Sequence, residues 1–505
     1  MRKLLFCLAT VASLLAAAPK KPKLVLAVVV DQFRYDYLTR FRSDYTAGFN
    51  RLLTQGAVFT NAQYEHFPTV TAVGHSTFLS GATPSISGIV GNDWYDRDEG
   101  RQVTSVSDSK TQLVGGRGGA GSSPGRLLVS TVGDELKIAD LGRSRVVGVS
   151  LKDRSAILPA GHMANGAYWF DNTSGNFVSS TFYFADLPPW VKAFNDSRPA
   201  ARYAGATWLN HKMPDDGKEL YAALAASPFG NELIAALAER AIEVEELGRH
   251  DFTDVLAVSF SSNDYVGHEV GPDAAEVREM AIRTDKVLGE LLAAAEKSAG
   301  ADNVLVVLTA DHGVAPLPEV NQARRMPGGR PPTGIFNKTA EEALARKFGS
   351  GKWIVGGSEH TLYFNQELIA ERKLDSADVN RTAAEALSKL PHVFRVYTRD
   401  QLARGAVQPD LISRRVMNGF YARRSGDVEI LLEPYWIFTQ KEATHGTAFD
   451  YDTHVPVIFM GAGIRPGRYY QSIVVNDIAP TLAAILDVET PSGSVGRVLS
   501  EVFTE

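Results

Sequence analysis

The sequence predicts an α/β fold in which a mostly parallel central sheet carries helices on both faces and a smaller α+β lobe is inserted. Three observations predict it. A continuous apolar, β-branched run recurs four times, at 23–31 (KLVLAVVVD), 145–152 (RVVGVSLK), 254–264 (DVLAVSFSSND) and 303–311 (NVLVVLTAD). Such runs read as strands buried on both faces. Helical stretches such as 230–247 and 273–299 lie between them, and strands alternating with helices imply a parallel sheet. Each run also ends in a polar or charged residue. Open α/β sheets bind ligands beyond the carboxyl ends of their strands, so these polar ends should converge on one edge.

The chain has 505 residues, of which 44% are apolar and 22% charged, the composition of an ordinary globular protein. Its first residues, Met1-Arg2-Lys3 and then LLFCLATVASLLAAA, have the pattern of a secretory signal with cleavage expected near Ala18. A periplasmic or secreted location follows from that expectation. Cys7 is the only cysteine, so a chain cleaved there has no disulfide, no thiol nucleophile and no cysteine-based metal site. Without Arg2 and Lys3 the chain carries 50 basic against 58 acidic residues, which argues against a nucleic-acid surface. No later segment reads as a membrane span, and the protein is expected to act as a monomer.

Residues 97–125, rich in Gly, Ser and Asp, read as a mobile loop. Residues 153–228 carry scattered aromatics and read as an insertion beside the site, with those in 168–190 walling the leaving-group side. Residues 317–440 suit the α+β lobe. On this reading the catalytic domain is 24–316 together with 441–505, whose last core strand and helix lie at 454–461 and 477–486.

The stretch 65–95 is the chemical centre. Thr71 sits where an extended Phe-Pro segment gives way to a helix start, where free N–H groups and the helix dipole favour an anionic phosphate. Asp264 and His268 are four apart and share a face if that segment is helical. Asp311-His312 follows a buried strand, and His445 lies far downstream. With Asp31 and Thr71 these supply the nitrogen and oxygen ligands that zinc accepts.

FPTVTAVGH, the asparagine of GIVGNDWYD, NDYVGHE, TADHG and THG occur in the order seen in the alkaline-phosphatase superfamily. They most resemble its nucleotide pyrophosphatase/phosphodiesterase branch, and SLKDR resembles the Lys-x-Arg signature of the phosphate-monoester hydrolases within it. The resemblance implies two zinc ions on the order of 4 Å apart. Asp264, His268 and His445 would hold one; Asp31, Asp311, His312 and the Thr71 oxygen would hold the other. Thr71 would be the nucleophile, forming a phospho-threonine that water then hydrolyses with net retention at phosphorus. Asn92, Lys152 and Arg154 would bind the remaining phosphate oxygens. Two added cations suit a monoester dianion better than a diester, and an extended 152–154 would let both face the same way.

Small phosphate monoesters are therefore the expected substrates. The alternative on the same scaffold is a phosphodiesterase or nucleotide pyrophosphatase, for which Lys152 and Arg154 would be dispensable. A sulfatase is disfavoured because no Cys/Ser-x-Pro-x-Arg sequence is present. A non-catalytic phosphate- or metal-binding protein of the envelope would not need the Thr71 hydroxyl. His75, Asp36, Asp452 and His454 are expected in supporting places, with Asp452 or His454 as hydrogen-bond partners of a ligand imidazole.

Overall fold

The computed structural model describes residues 21–504, so the leader expected over 1–18 lies outside the described residues. Seven strands frame the site: β1 (Leu24–Val30), β2 (Ala57–Gln63), β3 (Val146–Ser150), β4 (Gly166–Asp171), β5 (Asp254–Phe260), β6 (Val304–Thr309) and β7 (His454–Gly461). They lie in the order β2-β7-β6-β1-β5-β3-β4 within a 12-stranded sheet. The run from β6 to β4 is parallel throughout. β7 runs antiparallel to both β6 and β2, and further antiparallel strands extend the β4 edge. The sheet is thus mixed, with a parallel centre.

β1 is buried along its whole length, as its unbroken apolar sequence requires. Leu24 pairs with Asp254 and Val304, and Val30 with Phe260. That level register brings the carboxyl ends of β1, β5 and β6 to one edge. Helices α1 (Thr71–Ser80) and α2 (Asp153–Ala160) pack together, as do Pro228–Val244 and Ala275–Ala299, and the central strands lie against both groups.

Two stretches differ from expectation. Residues 97–125 are not a loop: Arg101–Thr104, Ser107–Val114 and Ala120–Ser122 are strands, and the last two form a hairpin on the outer part of the large sheet. Gly115, Gly118 and Gly119 supply the positive φ that its turn needs, so the glycine run marks a turn between strands. The stretch beginning at 153 also contributes β4 to the main sheet, its aromatics Tyr168, Trp169 and Phe170 being strand residues.

Residues 335–432 hold a separate four-stranded antiparallel sheet: Ile354–Gly357, Thr361–Phe364, Val428–Leu432 and Val393–Thr398 in spatial order. Helices Ile335–Phe348 and Ser376–Leu387 close its own core around Trp353, Leu362 and Phe364. The lobe reaches the chemical centre through Tyr363, whose ring lies 5.9 Å from that of Tyr95, and through Phe67, which packs with Tyr397 and Leu431.

Candidate active site

Four of the five parallel strands, β1, β3, β5 and β6, lead into a site residue. Asp31 follows β1, Lys152 follows β3, and Asp311 and His312 follow β6. After β5 the chain turns into helix α3 (Ser262–Val270), which carries Asp264 in its first turn and His268 one turn on. Thr71 is the first residue of α1. A Cβ on Gly74 would lie 2.2 Å from the Asp311 carbonyl oxygen, so only glycine lets α1 press its first turn against the end of β6. That contact sets Thr71 Oγ1 3.4 Å from His312 Nε2.

The structure brings the expected ligands together as two groups, Asp31/Asp311/His312 and Asp264/His268/His445, with the ligand atoms of each within 4.8 Å of one another. In the first, His312 Nε2 lies 3.6 Å from Asp31 Oδ1 and 3.4 Å from Asp311 Oδ2. In the second, Asp264 Oδ1 lies 3.2 Å from His268 Nε2 and 3.6 Å from His445 Nε2. The three imidazoles are aligned alike. Nδ1 donates to a backbone carbonyl in each: Gly313 at 2.9 Å for His312, Ala443 at 2.6 Å for His268, Thr69 at 2.8 Å for His445. A carbonyl can only accept, so the neutral rings of His312 and His445 turn an Nε2 lone pair inward, and His268 does the same once it gives up its second proton.

Asp31 Oδ1 and Asp311 Oδ2 are buried with no hydrogen-bond partner among the described residues. Buried carboxylate oxygens are rarely left so. Orphaned oxygens facing a carbonyl-oriented imidazole are what a bound cation needs, so the residues present fit metal ions.

The charges follow from packing. Burial and the neighbouring Asp311 push the Asp31 carboxyl well up, whereas Asp264, despite burial, is held well down by Lys152 and His268. Burial alone would lower His268, but Asp264 raises it to about 9. Burial keeps His312 and His445 neutral, the form that ligates. Burial would also lower Lys152, but Asp264 and Asp31 outweigh it and the ammonium stays charged.

Several placements depart from expectation. Residues 152–154 are not extended, since α2 begins at Asp153, so Arg154 stands in the first turn of a helix rather than beside Lys152 on a strand. Lys152 Nζ bonds Asp31 Oδ2 and Asp264 Oδ2, each at 2.6 Å. Arg154 Nε is buried without a partner among the described residues. Asn92 Oδ1 accepts from the Ala72 N–H at 2.8 Å, capping the first turn of α1 and leaving its NH2 to donate. Asp452 bonds Thr447 and His454 bonds the Thr60 carbonyl, so neither touches a ligand imidazole.

Gln32 was not foreseen. Its backbone N–H donates to Asp311 Oδ1 at 3.0 Å and its Nε2 to Asp264 Oδ1 at 2.6 Å, joining the two groups. The one sequence signal for it is its position directly after a strand-terminal aspartate. His75 supports the nucleophile helix: Nδ1 donates to the Thr71 carbonyl at 2.8 Å and Nε2 accepts from Ser259 Oγ at 2.8 Å.

A cavity of about 270 Å³ opens beside His268, His445 and Asn92, walled by Phe67, Tyr363 and Glu429. Its far wall comes from the lobe. Trp169 and Phe170 instead border a cleft that holds Lys152 and Arg154, away from the side they were expected to wall.

The sequence pattern of type I phosphodiesterases / nucleotide pyrophosphatases matches residues 25–455. Alkaline phosphatase PafA of Elizabethkingia meningoseptica is 38% identical over 96% of this chain and 95% of its own. A protein of Myroides odoratus named calcium-transporting ATPase is 36% identical over 99% and 98%. The crystal structure of wild-type alkaline phosphatase PafA superposes with a TM-score of 0.90 at 37% identity, covering 96% of this chain and all of that one. Taken with the shared fold and the two ligand groups at the sheet edge, these matches place the chain in the type I phosphodiesterase / nucleotide pyrophosphatase family.

Proposed function

We propose that this protein is an alkaline phosphatase that hydrolyses phosphate monoesters with Thr71 as nucleophile and two zinc ions. The observation that carries the reading is the pair of Asp/His groups, one beside the Thr71 hydroxyl and the other opening into the cavity. Two bound zinc ions would supply Lewis acidity at the attacking and the leaving oxygen.

The chain's own residues do the rest. α1 presents Thr71 Oγ1 at a helix start, where backbone N–H groups favour a phosphate. The hydroxyl passes its proton to water, the Thr71 oxygen bonds phosphorus as the ester P–O bond breaks, and the leaving oxygen takes a proton from water and departs as the alcohol toward the cavity side. Water then cleaves the phospho-threonine, returning Thr71 and releasing inorganic phosphate. Asn92 Nδ2, Lys152 and Arg154 contact the phosphate oxygens, and the two cations favour a dianion over a diester. The relative named alkaline phosphatase and the absence of any cysteine after Cys7 fit this reading.

The leader 1–18 is taken as a signal cleaved near Ala18, placing a monomeric enzyme in the periplasm or outside the cell. Among the described residues no single helix is long and apolar enough to cross a membrane.

The test is acid quench of the enzyme with a radiolabelled aryl phosphate, followed by peptide mapping. Label on Thr71, and a loss of kcat by about ten-thousandfold in Thr71→Ala, is expected. A Thr71→Ala variant with near-normal turnover would refute the assignment.

A further inference from the structure

We infer that Lys152 is, beyond any contact with phosphate, a built-in counter-charge of the ligand carboxylates: it stabilises the metal-free site and thereby weakens metal binding. The inference rests on the metal reading above.

The geometry is specific. Lys152 Nζ takes one carboxylate from each ligand group, bonding Asp31 Oδ2 and Asp264 Oδ2 at 2.6 Å. Each carboxylate divides its oxygens. Oδ1 of Asp264 faces His268 and His445, and Oδ1 of Asp31 faces His312, while both Oδ2 atoms go to the lysine. All three partners are nearly sealed from water, with side-chain exposures of 4% for Lys152, 0% for Asp31 and 7% for Asp264. The Tyr265 ring, 5.1 Å from Nζ, adds a cation–π contact.

Three carboxylates, Asp31, Asp264 and Asp311, share this dry pocket. Buried like charges without a counter-ion are strongly unfavourable, so the ammonium holds the pocket together. A divalent ion entering either group meets that ammonium at short range, where screening is weak, and shares a carboxylate with it, Asp31 in one group and Asp264 in the other, each cation holding a different oxygen. An interaction that favours the metal-free state over the loaded state lowers metal affinity by that difference. The separation of the two groups is therefore bridged by a side chain that opposes their filling, and removing its charge should tighten metal binding.

The experiment measures zinc affinity by chelator competition, starting from zinc-loaded wild type, Lys152→Ala and Lys152→Arg, together with the melting temperature of each stripped protein. Lys152→Ala is expected to bind zinc about tenfold or more tightly than wild type and to melt lower when stripped, and Lys152→Arg to behave as wild type. Lys152→Gln keeps donors without the charge and is expected to bind as tightly as the alanine variant, which covers the case in which stripped Lys152→Ala does not stay folded. Unchanged or weaker zinc binding in the neutral variants would overturn the inference. A purely mechanical clamp predicts the weaker outcome, and a role confined to phosphate predicts the unchanged one. Wild type that binds no zinc would overturn the metal reading itself, which separates the two failures.

Discussion

Glu429 shows how a single residue's environment sets a measurable property. It lies on the lobe strand Val428–Leu432, 9% exposed on the cavity wall, and accepts a hydrogen bond from Thr361 Oγ1 at 3.0 Å. Burial outweighs that bond and lifts its carboxyl from 4.5 to about 8. Because the folded value is the higher one, the contribution to stability is present below about 4.5 and is lost as pH rises through about 8. Glu429→Gln should therefore gain roughly 2–4 kcal/mol on wild type between pH 5 and pH 9. Denaturant melts of both proteins at the two pH values measure it, and a gap that does not widen would mean that Glu429 is ionised throughout. At this scale the sequence was informative for Asp31, Asp264, Asp311 and His312, because each follows an apolar run with a ligand-type residue, whereas His445 was marked only by the family resemblance of its THG motif. It gave Gln32 no mark beyond its place after Asp31 and was silent on the bonds Lys152 makes. Those depend on which strands become neighbours, and an asparagine or glutamine beside a motif carries no periodic signal.

The elements place these residues by close approach. α1 can stand against the end of β6 only because position 74 lacks a Cβ, the nearest atom being the Asp311 carbonyl oxygen at 2.2 Å. Gly74→Ala must push the helix and the Asp311 turn apart, moving Thr71 away from His312. Overpacking of this kind costs about 1–3 kcal/mol, and a displacement near 1 Å at a reacting group costs about a hundredfold in rate. Both losses are expected together in thermal melts and in kcat. Full activity in a stable Gly74→Ala protein would show that the approach is not needed. The four buried strands and the α3 turn after β5 were legible from apolar runs and from the i, i+4 spacing of Asp264 and His268. The helix start at Asp153 was not, because SLKDR continues a strand run and only the packing of α2 under β3 decides where that strand stops. The hairpin at 107–122 was hidden by its turn glycines, which outnumber the few apolar residues of its strands.

At the scale of the molecule, the sheet edge and the lobe form one enclosure. The sheet supplies the ligand groups and Thr71, and the lobe supplies the far wall of the cavity beside His268 and His445. On the proposed metal reading the ions bind the folded chain, so stripping them with a chelator should lower the melting temperature and adding zinc back should restore it, in proportion to the logarithm of free zinc. A melting temperature indifferent to zinc would contradict the proposed metal pair. The order of the motifs made the parallel centre legible, whereas the antiparallel pairings of β7 with β6 and β2 are long-range and have no local pattern. The most direct test of the central claim is the ratio of kcat/KM for a phosphate monoester and a diester bearing the same aryl leaving group, in wild type and in Arg154→Ala. The account predicts a strong monoester preference in wild type that shrinks by about tenfold or more in Arg154→Ala, because a guanidinium favours the dianion. A wild type that prefers the diester, or a substitution that slows both reactions equally, would contradict it.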